Sequence, residues 1–156
     1  MKRLLAGLMV AVWMAAGMAV QVRAAEAEWM TDFAKAQSKA LADKKMLLID
    51  FTGSDWCPPC KEMHKRVLTS DEFTKYAKDN LVLVLADFPQ HKELTQEQKK
   101  ANETLSEKFK VDGFPTIVVL SSDGKQLSKE VGYGGESAQD FVKKLEKLRE
   151  KQQTKK

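Results

Sequence analysis

The 156-residue sequence predicts an α/β fold, a central mixed sheet of four to five strands with helices on both faces. Residues 46–51 and 81–86 are short apolar runs without alternation, the pattern of strands buried on both faces, and helical stretches separate them. Within the whole order of elements, that spacing fits a mixed sheet. An antiparallel part follows, because the apolar strand at 116–120 runs into Ser121-Ser122-Asp123-Gly124, a hairpin turn, and then a further strand at 125–131. The order is helix, strand, two helices, strand, helix, two strands and a closing helix, with no internal repeat.

Residues 28–44 have the spacing of an amphipathic helix, capped by Thr31 and carrying Trp29, Phe33, Ala36, Ala40 and Leu41 on one side. The first strand hands over to a helix expected from Pro59 to about Val67. Thr69-Ser70-Asp71-Glu72 is a capping box that opens a short helix through Phe73 and Tyr76. After the second strand, the polar residues 88–94 are expected to form a surface loop. Thr95 and Gln98 make another capping box, and Ala101, Leu105 and Phe109 recur every four residues, which predicts a helix over 96–109. Gly132, Gly134 and Gly135 break the chain again. Ser137 then caps a last helix whose Phe141, Val142, Leu145 and Leu148 form one apolar stripe.

Residues 1–24 read as a secretory signal peptide: basic Lys2 and Arg3, an uncharged apolar run over 4–20, and small residues flanking Arg23 at the cut. Ala25-Glu26-Ala27 offers a second cut, and an uncleaved membrane anchor is the rival reading, since the run approaches the roughly 18 residues of a span. Either way the chemistry belongs outside the cytoplasm, in a periplasmic or secreted protein. Without Lys2, Arg3 and Arg23 the chain has 23 basic against 22 acidic residues, so bulk charge gives no reason to expect nucleic acid as a partner. The folded domain is placed at 25–150, as a monomer, and the lysine-rich 151–156 as a disordered basic tail.

Both cysteines of the chain fall in Trp56-Cys57-Pro58-Pro59-Cys60-Lys61, where a buried strand gives way to a helix. Thiol chemistry is favoured there, because backbone N–H groups without intrahelical partners and the positive end of the helix dipole both stabilise thiolate. Cys57 is read as the exposed nucleophile. Cys60, one turn on, is read as the thiol that resolves a mixed disulfide and leaves a Cys57–Cys60 bridge. A purely structural bridge is the weaker alternative, since so short a loop gains little chain entropy on closure.

This arrangement resembles thioredoxin over residues 29–148. The resemblance rests on the strand Leu47-Leu48-Ile49-Asp50-Phe51, the Trp-Cys-Pro-Pro-Cys-Lys motif, Gly113-Phe114-Pro115-Thr116 opening the third strand, and the hairpin followed by a closing helix. It implies a thioredoxin-like fold and a thiol–disulfide oxidoreductase that acts on protein thiols and disulfides and needs no cofactor. It also implies a cis peptide bond before Pro115, packed against the redox sulfurs, and a substrate surface made by Trp56, Phe114 and Pro115. Asp50 matches in type the buried acid that family members use beneath the pair; desolvation would raise its pKa and suit it to take a proton from Cys60.

The sequence departs from thioredoxin in three places. Six residues separate Asp50 from Cys57, one more than in thioredoxin itself, so Asp55 is a rival proton acceptor. Pro58 replaces the usual Gly, leaving neither intervening residue with an N–H; thiolate is then less stabilised, which favours a reductase over a strong oxidant. Residues 88–108 are longer than their thioredoxin counterpart and resemble the exported thioredoxin-like proteins and the periplasmic domains of membrane disulfide reductases. That insert either selects the partner or is a passive edge helix.

The leading function is therefore a protein disulfide oxidoreductase, more a reductase than an oxidase, recharged by a membrane or periplasmic electron donor. The alternative is a copper- or zinc-binding protein that uses Cys57, Cys60 and His64, with His91 completing the set.

Overall fold

The structure, a computed structural model, describes residues 27–153, so the expected leader at 1–24 and its cut lie outside the described residues. Five strands form one sheet in the order β1-β3-β2-β4-β5. They are β1 (Trp29–Met30), β2 (Met46–Thr52), β3 (Leu81–Asp87), β4 (Thr116–Leu120) and β5 (Gln126–Val131). β1, β3 and β2 run parallel; β4 is antiparallel to β2, and β5 to β4. The helices are α1 (Phe33–Asp43), α2 (Pro58–Met63), α3 (Asp71–Asn80), α4 (Gln96–Lys108) and α5 (Ala138–Gln153). No helix of the described residues is long and apolar enough to cross a membrane.

Alternation along the central strand divides the core into two layers. Leu48 faces one layer with Met63, Val67, Leu68, Phe73, Ile117, Phe141 and Leu145, covered by α2, α3 and α5. Leu47, Ile49 and Phe51 face the other with Ala36, Ala40, Leu105 and Phe109, covered by α1 and α4. By the same alternation Asp50 shares the face of Leu48, which is the face that α2 covers. Every residue of β2 is buried, as the unbroken apolar run requires of a central strand.

The expected helix at 28–44 is shorter and preceded by a strand. Trp29 and Met30 pair with Leu83 and Val84, so the backbone is extended there, and the helix starts only after Asp32, whose carboxylate accepts from the Lys35 N–H at 3.0 Å. Trp29 consequently stacks on Phe73 in the layer of Leu48, and Leu41, near the end of α1, is 59% exposed. A similar one-residue slip occurs at α3, where Ser70 rather than Thr69 caps by accepting from the Phe73 N–H. Between α2 and α3 the helix widens into one π turn at His64–Leu68, closed by the Thr69 N–H donating to the His64 carbonyl. The extra residue lets the adjacent Val67 and Leu68 both enter the core.

In α4, Thr95 caps as expected by accepting from Gln98 N–H, but Ala101 is exposed and Asn102 takes the buried position beside Leu105. The hairpin between β4 and β5 places Gly124 at φ 87°, a left-handed conformation that glycine adopts without penalty. Ser137 caps α5 through the Asp140 N–H, and the helix runs to Gln153, three residues into the stretch expected as a tail; residues 154–156 lie outside the described ones.

Candidate active site

Cys57 occupies the N-cap of α2 in an extended conformation, with Pro58 and Pro59 as the first two helical residues. Proline is accepted there because those N–H groups would have no helical partner. The chain has turned from strand to helix at this point, so Cys60 returns one turn later beside Cys57, and the two are joined at an S–S distance of 2.04 Å. The Cys60 N–H points at Cys57 Sγ at 3.3 Å. Pro58 and Pro59 face solvent, whereas both cysteines are only 3% exposed. Cys57 is therefore not the exposed residue that was expected; in the disulfide form its sulfur is turned into its partner rather than outward.

Asp50 is 3% exposed, and its Oδ1 has no hydrogen-bond partner. Loss of water, with a smaller contribution from the Asp87 carboxylate, pushes its pKa up from 3.8 to about 7. Asp55, the rival, has the opposite surroundings. Its carboxylate accepts from the backbone N–H groups of Gln90 at 2.9 Å, His91 at 2.7 Å and Lys92 at 3.1 Å. Loss of water works upward on Asp55 too, but the three N–H groups together hold its pKa below the ordinary 3.8.

Trp56 is partly exposed and fixed on three sides. Its indole Nε1–H donates to the Phe88 carbonyl at 2.7 Å. Its ring lies across Gly53, where a Cβ would fall 2.5 Å from Cε2, so only glycine leaves room. Phe114 meets the same ring edge-on at a centroid distance of 5.9 Å, and Phe88 packs on Phe114 at 5.2 Å. The Phe114–Pro115 peptide bond is cis, and Pro115 is buried at the start of β4. Lys61, on α2, donates from Nζ to the Asp55 carbonyl at 2.7 Å.

The ligand set of the metal-binding alternative is not assembled. His64 is exposed within the π turn, His91 is fastened in the 88–92 loop through its backbone, and among the described residues no three of His, Cys, Asp or Glu are grouped to hold an ion. Sequence reasoning missed Gly53, Ser54, Asp87 and Phe88. Ser54 donates from its N–H and its hydroxyl to the Asp87 carboxylate at 2.9 and 2.6 Å, tying the turn before the motif to the end of β3. No periodicity marks such loop-to-loop bonds; the only signal was the glycine and acid crowding between strand and motif.

The model of the thioredoxin-like domain matches residues 33–149. The disulfide bond reductase DsbH of Chlamydia pneumoniae is 37% identical over 131 residues, covering 82% of this chain and 78% of that protein. The thioredoxin-related protein DsbJ of the same organism is 29% identical over 113 residues, and there the match covers 72% of this chain but only 32% of the relative's length. A solved structure of a DsbH oxidoreductase superposes with a TM-score of 0.74 at 34% identity, over 80% of this chain and 85% of that one. With a redox pair capping a helix at the end of a central buried strand, this chain belongs to the thioredoxin-like family and is a thiol–disulfide oxidoreductase.

Proposed function

We propose that the protein is a disulfide reductase that acts on protein cysteines outside the cytoplasm. The observation that carries the reading is a disulfide closed across the N-cap of α2, with Asp50 buried on the face of β2 that α2 covers. In the reduced protein, Cys57 thiolate attacks a substrate disulfide; a Cys57–substrate bond forms and one substrate thiolate leaves. Cys60 then gives its proton to Asp50 and attacks Cys57 Sγ. The second substrate thiolate leaves, the Cys57–Cys60 bridge closes, and two electrons have passed to the substrate. A membrane or periplasmic donor restores two electrons and two protons to the pair. Trp56 and Phe114, backed by the buried Pro115, form the surface against which the substrate segment lies. Residues 1–24 serve as the export leader, and the domain works as a monomer.

Two features support the direction. Pro58 and Pro59 supply no N–H, leaving the Cys60 N–H as the donor directed at Cys57 Sγ, so thiolate gains little from the loop. A relative 37% identical is named a disulfide bond reductase. The test is the reduction potential of the pair, measured against a glutathione or dithiothreitol buffer series. A value near the roughly −270 mV of thioredoxin is expected. A value near the roughly −120 mV of the strong oxidant DsbA would refute the direction while leaving the exchange chemistry in place.

A further inference from the structure

The loop that follows β3 has no regular structure of its own, yet it is fixed at two places. At its start, the Asp87 carboxylate is held by Ser54, and the Asp87 carbonyl accepts from Asn102 Nδ2 of α4 at 2.7 Å. Three residues on, the Asp55 carboxylate collects three successive N–H groups, from Gln90, His91 and Lys92. Bonds from N–H to an ionised carboxylate are roughly twice as strong as neutral ones. Only Phe88 and Pro89 lie between the two clamps, and proline restricts the backbone further. That bracketed residue, Phe88, offers the carbonyl that anchors the Trp56 indole and the ring that packs on Phe114.

We propose that Asp55 is a positioning residue for exchange at Cys57. Its carboxylate sets the 88–92 loop, the Phe88 carbonyl sets the Trp56 indole, and the resulting aromatic wall receives the apolar flank of a cysteine in an extended protein segment. The inference rests on the proposed function, in which Trp56 and Phe114 meet the substrate. It gives the long insert a role in selecting substrates, and it separates Asp55 from the chemistry of the sulfurs. A small disulfide needs no wall; a protein disulfide does.

The test uses the full chain with Asp55→Ala and Asp55→Asn, reduced with dithiothreitol, and follows exchange with insulin and with hydroxyethyl disulfide. Asp55→Ala should raise KM for insulin about tenfold with kcat changed less than about twofold, since a platform that must be ordered at docking weakens binding. The penalty with hydroxyethyl disulfide should be about fivefold smaller, and Asp55→Asn, which keeps one acceptor oxygen, should fall between. In isotope-labelled protein the Trp56 indole N–H signal should move and exchange faster with solvent. Equal losses on both substrates, a fall in kcat at unchanged KM, or an unmoved indole signal would each overturn the proposal. If Asp55→Ala does not fold, Trp56→Phe, which keeps a ring and deletes the donor, must give the same rise in KM for insulin; no rise overturns it. A wild-type protein that reduces hydroxyethyl disulfide but not insulin would overturn the protein-reductase reading itself, and this inference with it.

Discussion

Replacing Asp50 by asparagine is expected to stabilise the disulfide form of the protein at neutral pH while slowing its turnover. The gap between the ordinary 3.8 and the folded value of about 7 is worth about 4 kcal/mol at 1.36 kcal/mol per pH unit. The sign follows from which state holds the proton. Below pH 3.8 the carboxyl is neutral in both the folded and the unfolded chain, and the wild type has its full stability. As pH rises, the unfolded chain ionises first, the folded one holds its proton until about pH 7, and stability falls across that window. Asparagine has nearly the same shape and never ionises. The stability of Asp50→Asn minus that of wild type should therefore grow from about zero at pH 4 to about 4 kcal/mol at pH 8. Urea unfolding of the disulfide-intact proteins across that range measures it, with all other titrating groups cancelling in the difference. Curves that remain parallel from pH 4 to 8 would refute the reasoning. In the same variant the resolving attack of Cys60 should slow by about a hundredfold, the low end of what a general base contributes.

Cys60→Ser should accumulate mixed disulfides on Cys57 when expressed in the native compartment, and non-reducing electrophoresis with and without dithiothreitol reads them. Gly53→Ala puts a Cβ 2.5 Å from the Trp56 ring, so the indole must leave the Phe88 carbonyl; a loss of about 1–3 kcal/mol in urea unfolding and faster indole N–H exchange are expected. Asn102→Ala removes the donor to the Asp87 carbonyl in a largely buried setting and should cost about 1–3 kcal/mol, read from the urea midpoint.

The parts of the fold that were legible are those in which one signal dominates. Uninterrupted apolar runs marked β2, β3 and β4 because strands covered on both faces tolerate little else. The two cysteines marked the end of β2, since thiol chemistry and a helix start converge there. β1 was not legible, because two residues are too few to show a period, and its pairing with β3 delayed the start of α1. The caps slipped by one at Thr31 and Thr69 for a related reason: each is followed by a second residue able to cap, Asp32 and Ser70, and only the backbone geometry chooses between neighbours. In α4 the apolar pattern passed over Asn102. Its burial is set by a carbonyl at the end of β3 that needs a donor, and no hydrophobic period carries that requirement.

The two acids near the pair show most clearly where sequence reasoning ends. Asp50 and Asp55 stand seven and two residues before Cys57, and spacing alone left them as rivals for one proton. Their surroundings separate them. A base for the Cys60 thiol must accept a proton and later release it near neutral pH, which requires a pKa close to that range. Asp50, stripped of water and with an oxygen lacking any donor, stands at about 7. Asp55, wrapped by three N–H groups, is held below 3.8 and so is ionised near neutral pH. In the proposed mechanism the same carboxyl group therefore serves as a proton acceptor at Asp50 and as a charged fastener at Asp55. When two titratable groups are pushed apart in this way, the direction of each shift assigns the roles.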